Sequence, residues 1–278
     1  GLAALAAHPA WDVATATLGA SRAVVELLEG ADRERAKVAL RAIYRPRYEA
    51  LGEATDESSV LLRVALTRFL ALDADDPDVR AELGALADRA LDASGRFDRS
   101  AAPGDLLETV LTVGVQDQGA EFFDRLEAAS IAAEDPYFKD VAFGALGQVE
   151  DPELAARLRA AILERRFPLT ESMGMLVGQL RADATRDSTW DWVNANADAV
   201  IALVPEFFRS QVVPRFGLGF CSAERATEVE TFVVSHASLV PGYERSLSQA
   251  LEAISLCAAL RMEKGAELAA VFAATAPR

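Results

Sequence analysis

Apolar residues in this chain recur at spacings of three and four and almost never alternate. After Asp56 the stripe is Leu61, Val64, Ala65, Leu66, Phe69 and Leu72; after Pro152 it is Leu154, Leu158, Ala161 and Ile162. After Ser222 come Val229, Phe232, Val233 and His236, and after Gly242 come Leu247, Leu251, Ile254 and Ala258. Such spacings return to one side of a 3.6-residue turn and bury a single stripe. Short alternating runs of Val and Ile bounded by turn dipeptides, the mark of strands, are not found. The expected fold is all-α, with about a dozen or more helices of ordinary length.

Punctuation agrees with that reading. Asp76-Pro77, Asp135-Pro136 and Asp151-Pro152 each precede a helical run. Asp accepts from the free N–H groups of a first turn, and proline at the first helical position has no N–H to leave unpaired. Ser188, Ser222 and Thr170 stand at similar positions and are read as caps. From Ser188 to Arg261 the pattern is helix, break, helix, break, helix. Short links make neighbours antiparallel, and tandem pairs of similar size suggest an α-solenoid of HEAT or armadillo type. The chain is read as one helical domain, 1–278, with Ser94 to Gly104 as the longest break and a possible boundary between sub-bundles.

The 278 residues are 51% hydrophobic, enough for a sizeable core. A formal net charge of -15 opposes nucleic acid and anionic membrane surfaces as partners. No segment offers the roughly 18–20 apolar residues that a membrane span needs. Gly1 to Ala10 lacks a positive n-region and is a poor signal peptide. The start at Gly1 rather than Met makes a piece of a longer polypeptide the expectation. Cys221 and Cys257 are too few for a disulfide framework and lie in apolar helical surroundings. They are expected to be small buried thiols in a reduced, cytoplasmic compartment.

Catalytic motifs are missing. Zinc hydrolases place two histidines on one helix face as HExxH, and this chain holds only His8 and His236. There is no GxSxG, no supported SxxK and no GxxxxGK[ST]. Hence no catalytic and no metal-ligating residue is assigned, and no cofactor within this chain. His236 is read as a packed or helix-end side chain. Gly217 and Gly219 mark a turn, and Gly174 and Gly178 are read as close helix packing. Asp73, Asp75, Asp76 and Asp78 resemble a calcium loop superficially, but Asp78 stands where glycine is required and Pro77 interrupts. A solvated acidic turn that caps the next helix is the simpler reading. Trp190 and Trp192, two apart, cannot share a helix face.

Arg33, Lys37, Arg41 and Arg45 recur every four residues, with Tyr44 and Tyr48 on or near the same face. Arginine grips carboxylates in a bidentate fork, so this row is suited to a peptide carboxylate or an anionic segment. The simpler and favoured reading is an exposed face paired with Glu34, Glu49 and other nearby acids.

The order of features from Asp135 onward resembles a known family. Gly144-Ala-Leu-Gly147 before Asp151-Pro-Glu-Leu154, Trp190-Asp-Trp192-Val-Asn-Ala-Asn196, and Phe216-Gly-Leu-Gly219-Phe-Cys221-Ser222 carry the resemblance. So do Glu228-Val-Glu-Thr-Phe232 and Pro241-Gly-Tyr-Glu-Arg245 with Gln249, Glu252 and Ile254. Upstream, Tyr48-Glu-Ala-Leu51-Gly52 with Leu61-Leu-Arg63, and the Asp75-Asp-Pro77-Asp-Val-Arg80 turn, also fit. Together these are similar to the C-terminal helical domain of gluzincin zinc aminopeptidases, of the aminopeptidase N, puromycin-sensitive and endoplasmic-reticulum aminopeptidase type. Ala197, Cys257, Leu260 and Thr170-Glu171 depart from the family's usual residues.

The resemblance implies a non-catalytic, concave bowl of helices over an active site whose HExxH…E zinc motif lies in an upstream domain. It implies that the parent protein is a zinc metalloaminopeptidase, a hydrolase. Partners would be that catalytic domain of the same polypeptide and peptide substrates, whose distal part the bowl contacts. Arg41, Arg45, Arg209 and Arg215 are the candidates for cleft contacts; the last two flank a helix break with Phe207, Phe208 and Pro214. The alternative is an independent HEAT-like protein-binding scaffold. A third possibility is a site formed by distant residues such as Cys221 with His236.

Overall fold

The computed structural model describes residues 2–8, 10–52 and 55–275. Its α-helices are α1 (Leu2–Ala6), α2 (Trp11–Leu27), α3 (Gly30–Leu51), α4 (Glu57–Arg68) and α5 (Pro77–Ala90). Next come α6 (Leu107–Asp117), α7 (Gly119–Ala132), α8 (Pro136–Leu146), α9 (Pro152–Leu163) and α10 (Leu169–Arg181). The last are α11 (Arg186–Ala195), α12 (Ala197–Leu203), α13 (Glu206–Val212), α14 (Ala223–Ser235) and α15 (Glu244–Thr275). No strand is formed among the described residues; Leu91 and Phe97 share one isolated antiparallel bridge. The fold is all-α, with helices following one another through short links as in an α-solenoid.

The chain forms two compact units. One comprises Gly1–Ala87, Ser100–Val113 and Leu260–Arg278; the other comprises Asp88–Arg99 and Gly114–Ala259. The Ser94 to Gly104 interval contains one of these divisions and short 3-10 turns at Arg99–Ala101 and Gly104–Leu106.

In the first unit α2, α3 and α4 pack against one another. Leu18 and Val25 of α2, Leu40 and Tyr44 of α3, and Leu62 and Leu66 of α4 are buried between them. The stripe expected on α4 is corrected here: Leu61 and Leu72 are exposed, and the inward side chains are Leu62, Leu66, Phe69 and Leu70. A π-helical turn, Phe69–Asp73, inserts an extra residue into the repeat and turns Leu72 outward, whereas Leu61 lies upstream of it, beside the inward Leu62 of the regular helix. Phe69, Leu70 and Ala71 can then all be buried in succession, with the Phe69 ring edge-on to Tyr44 at 4.9 Å.

In the second unit α8 packs on α7 and α10, and α10 also packs on α11. The stripes on α9 and α14 are buried as expected: Leu154, Leu158, Ala161 and Ile162, and Val229, Phe232 and Val233. Asp135 accepts from the N–H of Tyr137, and Asp151 from those of Glu153 and Leu154. Ser222 accepts from the N–H of Arg225. Two expected caps are corrected. Ser188 lies inside α11 and donates to the Thr185 carbonyl, and Thr170 lies inside α10, which begins after Pro168. Thr170 comes two residues and Ser188 three residues after the N-cap position, because Leu169 and Arg186 already take helical geometry.

Candidate functional site

The basic row on α3 faces the acidic turn between the π-helical segment and α5. Lys37 Nζ reaches Asp75 Oδ2 at 2.6 Å, and Arg41 Nη1 donates to the Asp75 carbonyl at 2.7 Å. Arg45 Nη1 lies 2.8 Å from both Asp76 Oδ1 and Asp78 Oδ2, while its Nε donates to Glu49 at 2.9 Å. From α2, Arg22 grips Asp73 with two hydrogen bonds of 2.8 and 2.6 Å. Arg33 donates instead to the carbonyls of Val25 and Leu28 at the end of α2. Local pairs exist, as Lys37 with Glu34 and Arg45 with Glu49, but the main partners come from a segment some thirty residues further along the chain.

Electrostatics follow the geometry. Burial pulls the Lys37 ammonium down, but the hydrogen bond and charge of Asp75, with Glu34 behind, hold it above its ordinary 10.5. Glu49, then Asp76 and Asp78, raise the Arg45 guanidinium, so it stays charged throughout. The turn caps α5, since Asp76 Oδ1 accepts from the N–H groups of Asp78 and Val79, each at 3.1 Å. It is not wholly solvated: Asp76 is only 1% exposed. A buried carboxylate is tolerated there because two amides and a guanidinium replace its water.

Arg41 and Arg45 line one open depression of about 540 Å³ with Ala42, Pro46, Glu49, Asp76 and Pro77. Pro46, inside α3, has no N–H to give the Ala42 carbonyl, so that acceptor lacks its helical partner at the edge of the depression. The walls therefore present cation, anion and carbonyl together.

Arg209 and Arg215 belong to the second unit. Arg209 on α13 is half-buried and donates from Nε to the Val204 carbonyl at 2.9 Å. Arg215 is exposed on the 3-10 segment Val213–Gly219, between buried Pro214 and Phe216. Phe207 and Phe208 form an edge-on pair at 5.1 Å and are 80% and 49% exposed. The 3-10 segment is pressed into its neighbours. A Cβ at Gly217 would lie 2.3 Å from Val229 Cγ2, and one at Gly219 would lie 2.3 Å from the Leu180 carbonyl oxygen. That close seating directs Arg215 outward.

Trp190 is buried against Phe220 and Phe232, at 5.4 and 5.2 Å, whereas Trp192 is half-buried with the Arg159 guanidinium 6.0 Å from its ring. His236 ends α14 and bonds through Nδ1 to the Phe232 carbonyl at 2.7 Å, as a helix-end histidine does. The cysteines are the main correction. Cys221 and Cys257 form a disulfide, and no free thiol is present among the described residues. A Cys221–His236 site is therefore not available. Their spacing in sequence carries no sign of pairing; packing of α15 beside the start of α14 brings them together. Sequence reasoning also missed Arg159, buried on α9, which donates to Gln179 Oε1 and Thr189 Oγ1 at 3.0 Å each.

Among the described residues no three His, Cys, Asp or Glu side chains gather as a metal site, and no helix is long and apolar enough to cross a membrane. What fold and surface together define is an all-helical chain with one arginine-lined depression beside α3. The model of the ERAP1-like C-terminal domain matches residues 2–256, and the chain belongs to that family. None of the curated proteins compared with the chain matches it. Membership makes this a C-terminal domain of an aminopeptidase type, one that shares its polypeptide with a catalytic domain.

Proposed function

We propose that this chain is the non-catalytic wall of a zinc aminopeptidase, enclosing the active site of a separate catalytic domain and holding the distal part of peptide substrates. The observation that carries this reading is the family match over residues 2–256. A helical wall excludes bulk water and large substrates, and a few fixed polar groups orient what enters. The mixed cation, anion and carbonyl lining beside Arg41 and Arg45 suits the alternating donors and acceptors of a peptide better than it suits a bare anion. Arg215 and the Phe207–Phe208 pair offer a charged and an apolar contact. An independent scaffold has no observation in its favour.

The described residues do not fit a zinc centre, so no step of hydrolysis is routed through them; zinc would be held by the catalytic domain. Nucleic acid and membrane are not among the proposed partners, given the charge of -15. A cytoplasmic location rested on free thiols and has lost that support, since cystines belong mainly to oxidising compartments.

The test is an aminopeptidase assay on the complete polypeptide with peptides of increasing length. Changing Arg41, Arg45, Arg209 and Arg215 singly to Ala should flatten the dependence on length in at least one variant. Unaltered length dependence in all four removes the contact role. Cleavage of an aminoacyl chromogenic substrate by this domain alone removes the non-catalytic assignment.

A further inference from the structure

In the Glu244–Ala259 stretch of α15 the buried side chains are Leu247, Ala250 and Ile254, at spacings of three and four. The stripe then runs out. Ser255, Leu256 and Ala259 are exposed, and the positions that continue the inward face, Cys257 and Ala258, are half-buried. One turn beyond Ile254 the attachment becomes covalent. Cys257 is bonded to Cys221, with a Cα–Cα distance of 5.1 Å, inside the window that needs no backbone movement. Cys221 is itself held in place, because Phe220 before it packs on Trp190 and Ser222 after it caps α14. The partner side of the bond is thus rigid, and the α15 side has little apolar burial of its own. With both cysteines half-buried rather than enclosed, the bond lies within reach of another thiol.

We propose that Cys221–Cys257 is a reducible clamp, a modification site for a dithiol of the thioredoxin class, and that opening it loosens the Ser255–Ala259 turn of α15. A thiolate of the dithiol attacks one of the two sulfurs. A mixed disulfide forms, and the other cysteine leaves as a thiolate that takes up a proton. The second thiolate of the reductant then attacks its own sulfur in the mixed disulfide and frees the second cysteine, which is protonated in turn. Two electrons and two protons pass to the protein, and the reductant departs as a disulfide. Leu247, Ala250 and Ile254 keep the first half of the helix seated in either state. The inference is independent of the aminopeptidase reading.

The experiment uses the complete polypeptide purified without reductant, with dithiothreitol as the dithiol. Iodoacetamide in denaturant should label neither cysteine before reduction and both after it. Amide exchange at Ser255–Ala259 should become at least about tenfold faster on reduction, while Leu247–Ile254 stays protected. A variant carrying Cys221→Ser and Cys257→Ser should exchange like the reduced protein and ignore dithiothreitol. Labelling of both cysteines without reductant, or exchange unchanged by reduction, overturns the proposal.

Discussion

Gly178 on α10 lies against the carbonyl oxygen of Gly147 at the end of α8, so closely that a Cβ at 178 would stand 2.8 Å from it. The contact is reciprocal, since a Cβ at Gly147 would meet Met175 Cα at 2.8 Å. Backbone cannot retreat as a flexible side chain can. Gly178→Ala should therefore destabilise the protein by about 1–3 kcal/mol, the usual cost of overpacking. Gly174, on the same helix, has nothing within 4 Å of an added Cβ. Gly174→Ala should stabilise by up to about 1 kcal/mol through helix propensity alone. Denaturant unfolding of the two variants checks the contrast in sign.

Arg159 is a buried cation whose partners are neutral, and burial pushes its guanidinium below the usual arginine value. Its Nε finds no acceptor. Gln179→Leu should cost about 1–3 kcal/mol, because it strips an acceptor from a group that water cannot reach. Arg159→Met should fall within about 1 kcal/mol of the native protein, since an apolar side chain of similar length removes the charge altogether. Thermal unfolding of both separates a desolvated charge from simple packing.

Asp76 joins three duties: it caps α5, pairs with Arg45, and is buried. Asp76→Ala should destabilise by about 2 kcal/mol or more, combining a lost cap with the loss of the buried one of Arg45's three carboxylate partners. Asp76→Asn keeps an oxygen for the two amides and should cost less. Equilibrium unfolding of the pair gives the ordering, and equal losses would refute it.

Asp92 closes the turn between Leu91 and Phe97. Its carboxylate accepts from the Ser94 hydroxyl at 2.6 Å, from the Arg96 amide at 3.1 Å, and from the Arg96 guanidinium and the Ser94 amide. Those donors hold it well below the ordinary aspartate value of 3.8. A carboxyl depressed on folding contributes stability above its unfolded value and loses it as pH falls through the folded one. The turn should therefore hold at neutral pH and loosen in strong acid. Carboxyl chemical shifts should show Asp92 titrating below the other aspartates, and Asp92→Asn should abolish that acid step.

Much of this architecture was legible in order along the chain. Asp135, Asp151 and Ser222 cap helices because the accepting oxygen and the donating amides lie within one turn of each other, and sequence contains that whole interaction. The stripes of α9 and α14 were readable for the same reason. The continuation past α4 was not, because whether Phe69–Asp73 closes as a π turn depends on burying Phe69, Leu70 and Ala71 together against α2 and α3. The candidate site was legible as a row of cations and, separately, an acidic turn. That Arg41 and Arg45 meet Asp75, Asp76 and Asp78 had to await the packing of α3 beside the turn before α5.

By itself the sequence determined that the chain is helical, where several helices start, which faces of α9 and α14 turn inward, and which family it resembles. Those follow from interactions spanning a few residues. Only the tertiary structure decided that Cys221 and Cys257, separated by 36 positions, are bonded, that Gly178 touches Gly147, and that Arg159 is buried with Gln179. Each depends on which helix lies beside which, and helices of equal amphipathicity can pack in many pairings until close contacts select one.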